Sequence, residues 1–534
     1  MTFIKKRSQD FLHVIRENDR VFERALISIF FIIGAIGIFN HAMWRDELNG
    51  WLLTRDSHTL GELIANVKYE GHPLLWYVLL DFLNRFTANP VAMQVLHLII
   101  ATSSAYLFLK FAPFSKLPKA LFIFGYLPFY EFLLISRNYA IGLLSIVLFC
   151  IVFETRKRNY LWVSLSLALM VNTNAYCLLI AIALFLTLVA EYLFKNLLDY
   201  QTTASLKNTL ISLTIFIIGI SLSIAILLPP MDSNLQGGLT EWTVNFNLFH
   251  LAKTITRIWN GYILILIPAE SRFLDVSIFA IFSLIILLFS ATIFIRKPLI
   301  LFFYLLANLE ILTFTYVKFL GSARHYGHLY LVFAIALWLA SCYHKSNLLV
   351  SCFKNPESTI AKWIKLVDRY KTTFIMIILY AQLVAGIVSF SRDLVIPYSA
   401  SRDTAKYIQS QKLEQMFIAG SEDFAISPIC AYLNRKVYYP ETRQLGSFVL
   451  FTRQRNSLNA DEVLERISEK LQEKQQEILL ILNYELNTSR TDLKISFLNK
   501  LTHAFIGNEK YYLYIVSKVS GVYLVGGLTK FLIG

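Results

Sequence analysis

Residues 24–43 read RALISIFFIIGAIGIFNHAM, and the chain continues at once with WRDEL at 44–48. A run of about 20 predominantly apolar residues is what a helix needs to cross about 30 Å of hydrocarbon. Two adjacent acids, Asp46 and Glu47, follow this run. Similar apolar runs recur at about 91–111, 118–135, 137–153, 159–173, 175–195 and 208–229. Four more follow at about 274–295, 298–318, 325–343 and 372–391. Lipid offers no partner to a bare N–H or C=O, so each run is expected to be a helix. Composition agrees with this reading. Of 534 residues, 56% are hydrophobic and 16% charged, against about 25% charged in soluble domains. The expected fold is a polytopic α-helical membrane protein with about eleven transmembrane helices.

The net charge is +14. Its basic residues sit in short loops between apolar runs, which is the pattern of topology determinants and headgroup contacts rather than of a nucleic-acid surface. With the N-terminus cytoplasmic, one face holds Lys5, Lys6, Arg7, Arg16 and Arg20, then Lys110, Lys116 and Lys119. It also holds Arg156-Lys157-Arg158, Lys195, Lys207, Arg296, Lys297 and the basic run from Lys345 to Lys371. The opposite face carries about half as many over similar loop length. This balance requires that 73–86, which contains Asp81 and Arg85, does not cross; it reads as a half-embedded helix within a first outer loop at 44–90. A long loop is expected at 230–272.

Three parts follow from this: a cytoplasmic segment at 1–23, a transmembrane domain at 24–394, and an extracytoplasmic α/β domain at 395–534. In the last, 461–476 reads as an amphipathic helix and 478–484 and 511–517 as buried strands. The N-terminus shows no cleavable signal pattern. Five cysteines, Cys150, Cys177, Cys342, Cys352 and Cys430, contain no C-x-x-C pair and suggest neither a disulfide framework nor a zinc site.

Five polar clusters carry candidate chemistry. Asp46 and Glu47 can supply a general base and an orienting carboxylate, although acids also cap helix starts. Glu70, Gly71, His72 and Pro73 precede the half-embedded helix, with Pro at its first turn. Arg137 and Tyr139 occupy a tight turn on the face poor in basic residues, where an Arg beside the membrane is either functional or snorkelling. Asn174 lies in another outer turn. Lys318, Arg324, His325 and His328 gather at the start of the run at 325–343. Arg324 and His328 share a helix face at i, i+4, and an Arg fork can grip phosphate. His325 and His328 at i, i+3 are compatible with metal, but no third ligand accompanies them. All five clusters fall on one expected face of the membrane. Cations and carboxylates together beside lipid suit a lipid-phosphate substrate.

At these residues the chain resembles the GT-C superfamily of membrane glycosyltransferases. The Asp46-Glu47 pair after the first span, His72-Pro73 before a half-embedded helix, and Arg137 with Tyr139 carry the resemblance. The branch in question is the glycosyltransferase family 39-like one, with protein O-mannosyltransferases and aminoarabinose lipid A transferases. That branch commonly has His-Pro-Pro where this chain has His72-Pro73-Leu74. The resemblance covers roughly 24–395 and implies an inner-membrane enzyme of the cell envelope. Such an enzyme moves a sugar from a polyprenyl-phosphate donor to a lipid, glycan or protein acceptor on the extracytoplasmic side. Asp46 would be the base with Glu47 beside it, and Glu70, His72, Arg137, Tyr139, Asn174, Lys318, Arg324, His325 and His328 would bind substrate. No cofactor is called for, and no metal-ligand pattern indicates a divalent ion. The competing reading is a transporter or lipid flippase, which would place charges near the midplane and often repeat its two halves. A non-catalytic scaffold would leave Asp46 and Arg324 without a shared task.

Overall fold

The computed structural model describes residues 19–196, 203–234, 243, 245–265, 267–352, 358–488 and 490–519. Most of the expected N-terminal segment, including Lys5, Lys6, Arg7 and Arg16, lies outside the described residues, as does Lys354. The chain divides into two compact units: Met1–Pro397 with Leu450–Arg453, and Tyr398–Val449 with Gln454–Gly534.

The first unit is helical. Helix α1 (Asp19–Asn40) is followed by two short helices, α2 (Arg45–Asp56) and α3 (Leu60–Val67), in the stretch expected to be a polar loop. Thr59 starts α3 by accepting from the Glu62 N–H at 3.1 Å, satisfying one of the donors a helix start leaves bare. Helix α4 (Leu75–Asn84) has ten residues, so it spans about 15 Å, half the hydrocarbon thickness. Then come α5 (Val91–Phe111), α6 (Lys116–Ile123), α7 (Tyr139–Val152), α8 (Leu161–Val171), α9 (Ala175–Leu193) and α10 (Leu206–Leu227). The expected long loop at 230–272 contains α11 (Leu248–Tyr262), capped by Asn247. Helices α12 (Phe273–Ile293), α13 (Pro298–Val317), α14 (Ala323–Ala340) and α15 (Thr359–Val395) complete the bundle.

Among the described residues, eight helices are long and apolar enough to cross a membrane: α1, α5, α7 with its 3₁₀ continuation to Lys157, α9, α10, α12, α13 and α15. Ile29, Ile32 and Ile36 on α1 and Ile217 and Leu222 on α10 are exposed, as a lipid-facing stripe requires. The other three expected spans take different forms. The run at 118–135 is α6, then a break at Gly125, then a π-helical turn at Tyr126–Glu131. The run at 159–173 yields only the eleven residues of α8. Helix α14 opens on Arg324, His325 and His328 and is less apolar for it. The basic loop at 156–158 also differs from expectation. Arg156 turns inward, fully buried, and meets Glu191 Oε1 at 3.0 Å, leaving Lys157 and Arg158 at the surface.

The second unit is α/β. Its six-stranded sheet has the order β3-β2-β1-β4-β6-β5, from β1 (Phe417–Ser421), β2 (Val437–Tyr439), β3 (Gln444–Gly446), β4 (Ile478–Leu482), β5 (Leu493–Leu501) and β6 (Tyr511–Lys518). β1 runs parallel to β2 and β4, and the remaining pairings are antiparallel. Every residue of β4, ILLIL, is buried, as expected of a central strand covered on both faces. Helices α16 (Ser401–Ser410), α17 (Asp423–Leu433) and α18 (Ala460–Lys474) belong to this unit. Val463, Leu464, Ile467 and Leu471 form the apolar stripe of α18 and pack into the core with Leu480 and Val516.

Candidate functional site

Four chain segments of the helical unit meet around Asp46. The first is the start of α2. Glu47 closes a capping box there: its Oε2 accepts from the Trp44 N–H at 3.2 Å, which fixes the first turn and sets Asp46 beside it. The second is the turn before α7. Its backbone is held from two sides, since Glu47 Oε1 accepts from the Ser136 N–H at 2.6 Å and His97 Nε2 lies 3.1 Å from the Arg137 carbonyl. The third is the start of α14. Gly321 adopts φ +75°, a left-handed conformation that favours glycine. Ser322 then caps the helix, its N–H donating to His325 Nδ1 at 2.9 Å, which places Arg324 in the first turn. The fourth is the turn before α4, where Gly71 at φ +68° presents His72.

The side chains converge closely. Asp46 Oδ2 receives Arg137 Nη1 at 2.6 Å and Arg324 Nη2 at 2.7 Å; Asp46 and Arg324 are 278 residues apart in sequence. Arg45 Nε lies 3.8 Å from Asp46 Oδ1, and the Arg45 and Arg324 guanidiniums both lie over the Trp44 ring. Arg137 Nη2 donates to His72 Nε2 at 2.6 Å. That nitrogen therefore accepts, and a neutral His72 carries its proton on Nδ1, a buried donor with no partner among the described residues. The Tyr139 ring stands edge-on to His72 at 6.1 Å. Behind it, Glu70 accepts from Asn49 Nδ2 at 2.7 Å and from the Tyr77 hydroxyl at 3.3 Å.

These contacts separate the titratable groups. Burial would raise the Asp46 carboxyl, but the Arg137 and Arg324 guanidiniums outweigh it and hold the group below the usual carboxylate range. His72 is pushed well below the usual imidazole range, first by burial and then by the same two arginines. Glu70 moves the other way: burial raises it from about 4.5 to about 7, against the pull of Arg137 and its two hydrogen bonds. One carboxylate is thus held ionised while a second sits near neutrality, an arrangement typical of divided acid–base roles.

Of the residues singled out in sequence, Asp46, His72, Arg137 and Arg324 form one contact set, with Glu70 and Tyr139 at its edge. Glu47 lies apart from the arginines that hold Asp46. It is fully buried with both oxygens engaged, by Ser136 N–H on one side and by Trp44 N–H and His41 Nε2 on the other. These bonds tie the start of α2 to the turn before α7. Asn174 is also buried, and its side chain caps α9 by accepting from the Cys177 N–H at 2.9 Å. His325 caps α14, and His328 donates from Nδ1 to the His325 carbonyl at 3.0 Å while stacking on Tyr176. Lys318 ends α13.

Sequence reading missed His41 and Asp393. His41 Nδ1 and Nε2 lie 2.9 Å from Asp393 Oδ2 and Glu47 Oε2. It ties the end of α15 to the start of α2. A His inside the end of one apolar run and an Asp two residues past another give no sign of each other.

No family model and no curated protein matches the chain. Among solved structures it is similar to the crystal structure of ArnT from Cupriavidus metallidurans bound to undecaprenyl phosphate. The alignment covers 92% of this chain and 97% of that one at 9% identity, with a TM-score of 0.49.

Proposed function

We propose that this chain is a GT-C-type membrane glycosyltransferase that moves a sugar from a polyprenyl-phosphate donor to an acceptor on the extracytoplasmic face. The observation that carries the reading is the bridging of one carboxylate oxygen of Asp46 by two arginines from distant helix starts. In the proposed reaction an acceptor hydroxyl loses its proton to Asp46, and its oxygen bonds to the anomeric carbon. The bond from that carbon to the phosphate oxygen breaks, and polyprenyl phosphate leaves with the electron pair. Attack from the face opposite the leaving group inverts the anomeric centre.

The two arginines serve in sequence. While they hold Asp46 they keep it a weak base. A donor phosphate competes for the same guanidiniums, whose paired donors match phosphate geometry. Drawn to the phosphate, they release Asp46 and neutralise the charge that grows on the leaving group. His72 Nδ1–H is a further donor for an oxygen of the donor. The extracytoplasmic placement is supported by the lysines and arginines of the opposite loops.

The test compares Arg324→Lys with Arg324→Ala at matched expression, reading donor binding and transfer. Arg324→Ala should lower transfer on the order of 10²–10³-fold, as for other lost charge-stabilising donors. Arg324→Lys should recover little of it, because an ammonium lacks the planar fork. Full activity in Arg324→Lys would show that charge alone suffices; full activity in Arg324→Ala would remove Arg324 from the phosphate site.

A further inference from the structure

At the other end of α14 from Arg324 the helical unit has a half-open cavity of about 740 Å³. Arg324 lies on the first turn of α14, whereas Phe333, Leu337 and Ala340 of the same helix wall the cavity. At a rise of about 1.5 Å per residue, Ala340 lies about 24 Å along the axis from Arg324. The two places share a helix and are separate sites.

The cavity has an apolar body and a cationic mouth. Phe108, Phe114, Phe122, Phe294 and Phe333 line the body. Arg296, Lys297, Lys345 and Lys371 line the mouth with one acid, Asp368. That carboxylate accepts from Lys371 Nζ at 3.3 Å and lies 4.0 Å from Arg296 Nη2. Lys297 Nζ donates to the carbonyls of Ala340 and Tyr343, so its charge stays at the mouth. Arg296 Nε is buried without a partner among the described residues. Four cations thus face one carboxylate at the entrance to a hydrocarbon-lined space. Basic residues that only fixed topology would need no such space behind them.

We infer that this cavity binds one anionic phospholipid of the adjoining leaflet, with its phosphate at Arg296, Lys345 and Lys371 and an acyl chain in the aromatic body. Charge complementarity selects the headgroup, and the apolar walls take the chain. This assignment goes beyond the proposed transfer reaction and does not depend on it.

The test uses the full chain in detergent, delipidated and titrated by native mass spectrometry. The probes are phosphatidylglycerol and phosphatidylcholine with identical acyl chains. The wild type should retain one phosphatidylglycerol, preferred over phosphatidylcholine on the order of tenfold. Arg296→Ala with Lys345→Ala should erase that preference. Ala334→Trp, which fills the body and leaves the mouth intact, should weaken retention of both lipids. Equal retention of the two lipids by the wild type would overturn the assignment. So would an unchanged preference in the double variant, or unchanged retention in Ala334→Trp.

Discussion

Helix α7 has an arginine cluster beyond each end, and the two are built differently. Past its C-terminal end, Arg156 and Glu191 have side chains only 1% exposed. Arg156 also donates to the Phe153 carbonyl and lies against the Phe153 and Tyr343 rings, while the Tyr343 hydroxyl reaches Glu191. Before its N-terminal end, Arg137 meets Asp46 with Arg324. There the side chains are 12%, 25% and 14% exposed, and two guanidiniums crowd one oxygen. A closed pair satisfied on every side holds helices together. An open cluster with more cation than carboxylate has capacity for a second anion. The same residue types therefore serve packing at one end and, in the proposed reading, chemistry at the other.

The largest expected difference is in turnover. Asp46→Asn keeps size and removes the base, so transfer should fall about 10²–10⁴-fold with the protein still folded. Near-normal turnover in that variant would remove the chemical role from the open cluster.

The closed pair should respond in stability instead. Arg156→Leu strands Glu191 as a buried charge and should cost about 3–5 kcal/mol, with much of it recovered when Glu191→Leu is added. Thermal unfolding in detergent reads both. A variant with unchanged melting but lost transfer would make the two clusters alike.

The smallest effect concerns Glu70. Its folded-state value is about 7 against an ordinary 4.5, so the folded protein favours the protonated form. Its contribution to stability is therefore most favourable below pH 4.5 and declines as pH rises to about 7, above which the penalty is constant. The difference in melting temperature between wild type and Glu70→Gln should change across that window and level off above it. A difference independent of pH from 4.5 to 7 would show that Glu70 is not raised.

The helical membrane unit and the buried strands β4 and β6 were readable because apolar run length and burial are properties of short windows. Asp46, His72, Arg137 and Arg324 stood out because each lies beside or at the end of an apolar run. Their partners were not readable, since a contact across 278 residues is decided by packing and not by local pattern. Glu47 looked equivalent to Asp46 in sequence. One helix position decides that Asp46 faces the arginines and Glu47 faces Ser136 and His41. The break at Gly125 and the π-helical turn after it were hidden because hydropathy reports composition and not backbone geometry. Helix α11 was taken for loop because its apolar residues are interspersed with Lys253 and Arg257.

The most direct test of the central claim is mass spectrometry of lipids and glycans from cells lacking this chain, complemented with wild type or with Asp46→Asn. The deletion and the Asp46→Asn strain should both accumulate a sugar linked to polyprenyl phosphate and both lose one sugar from an envelope acceptor, while wild type restores both. Unchanged lipid-linked sugars and unchanged acceptors in the deletion strain would contradict it.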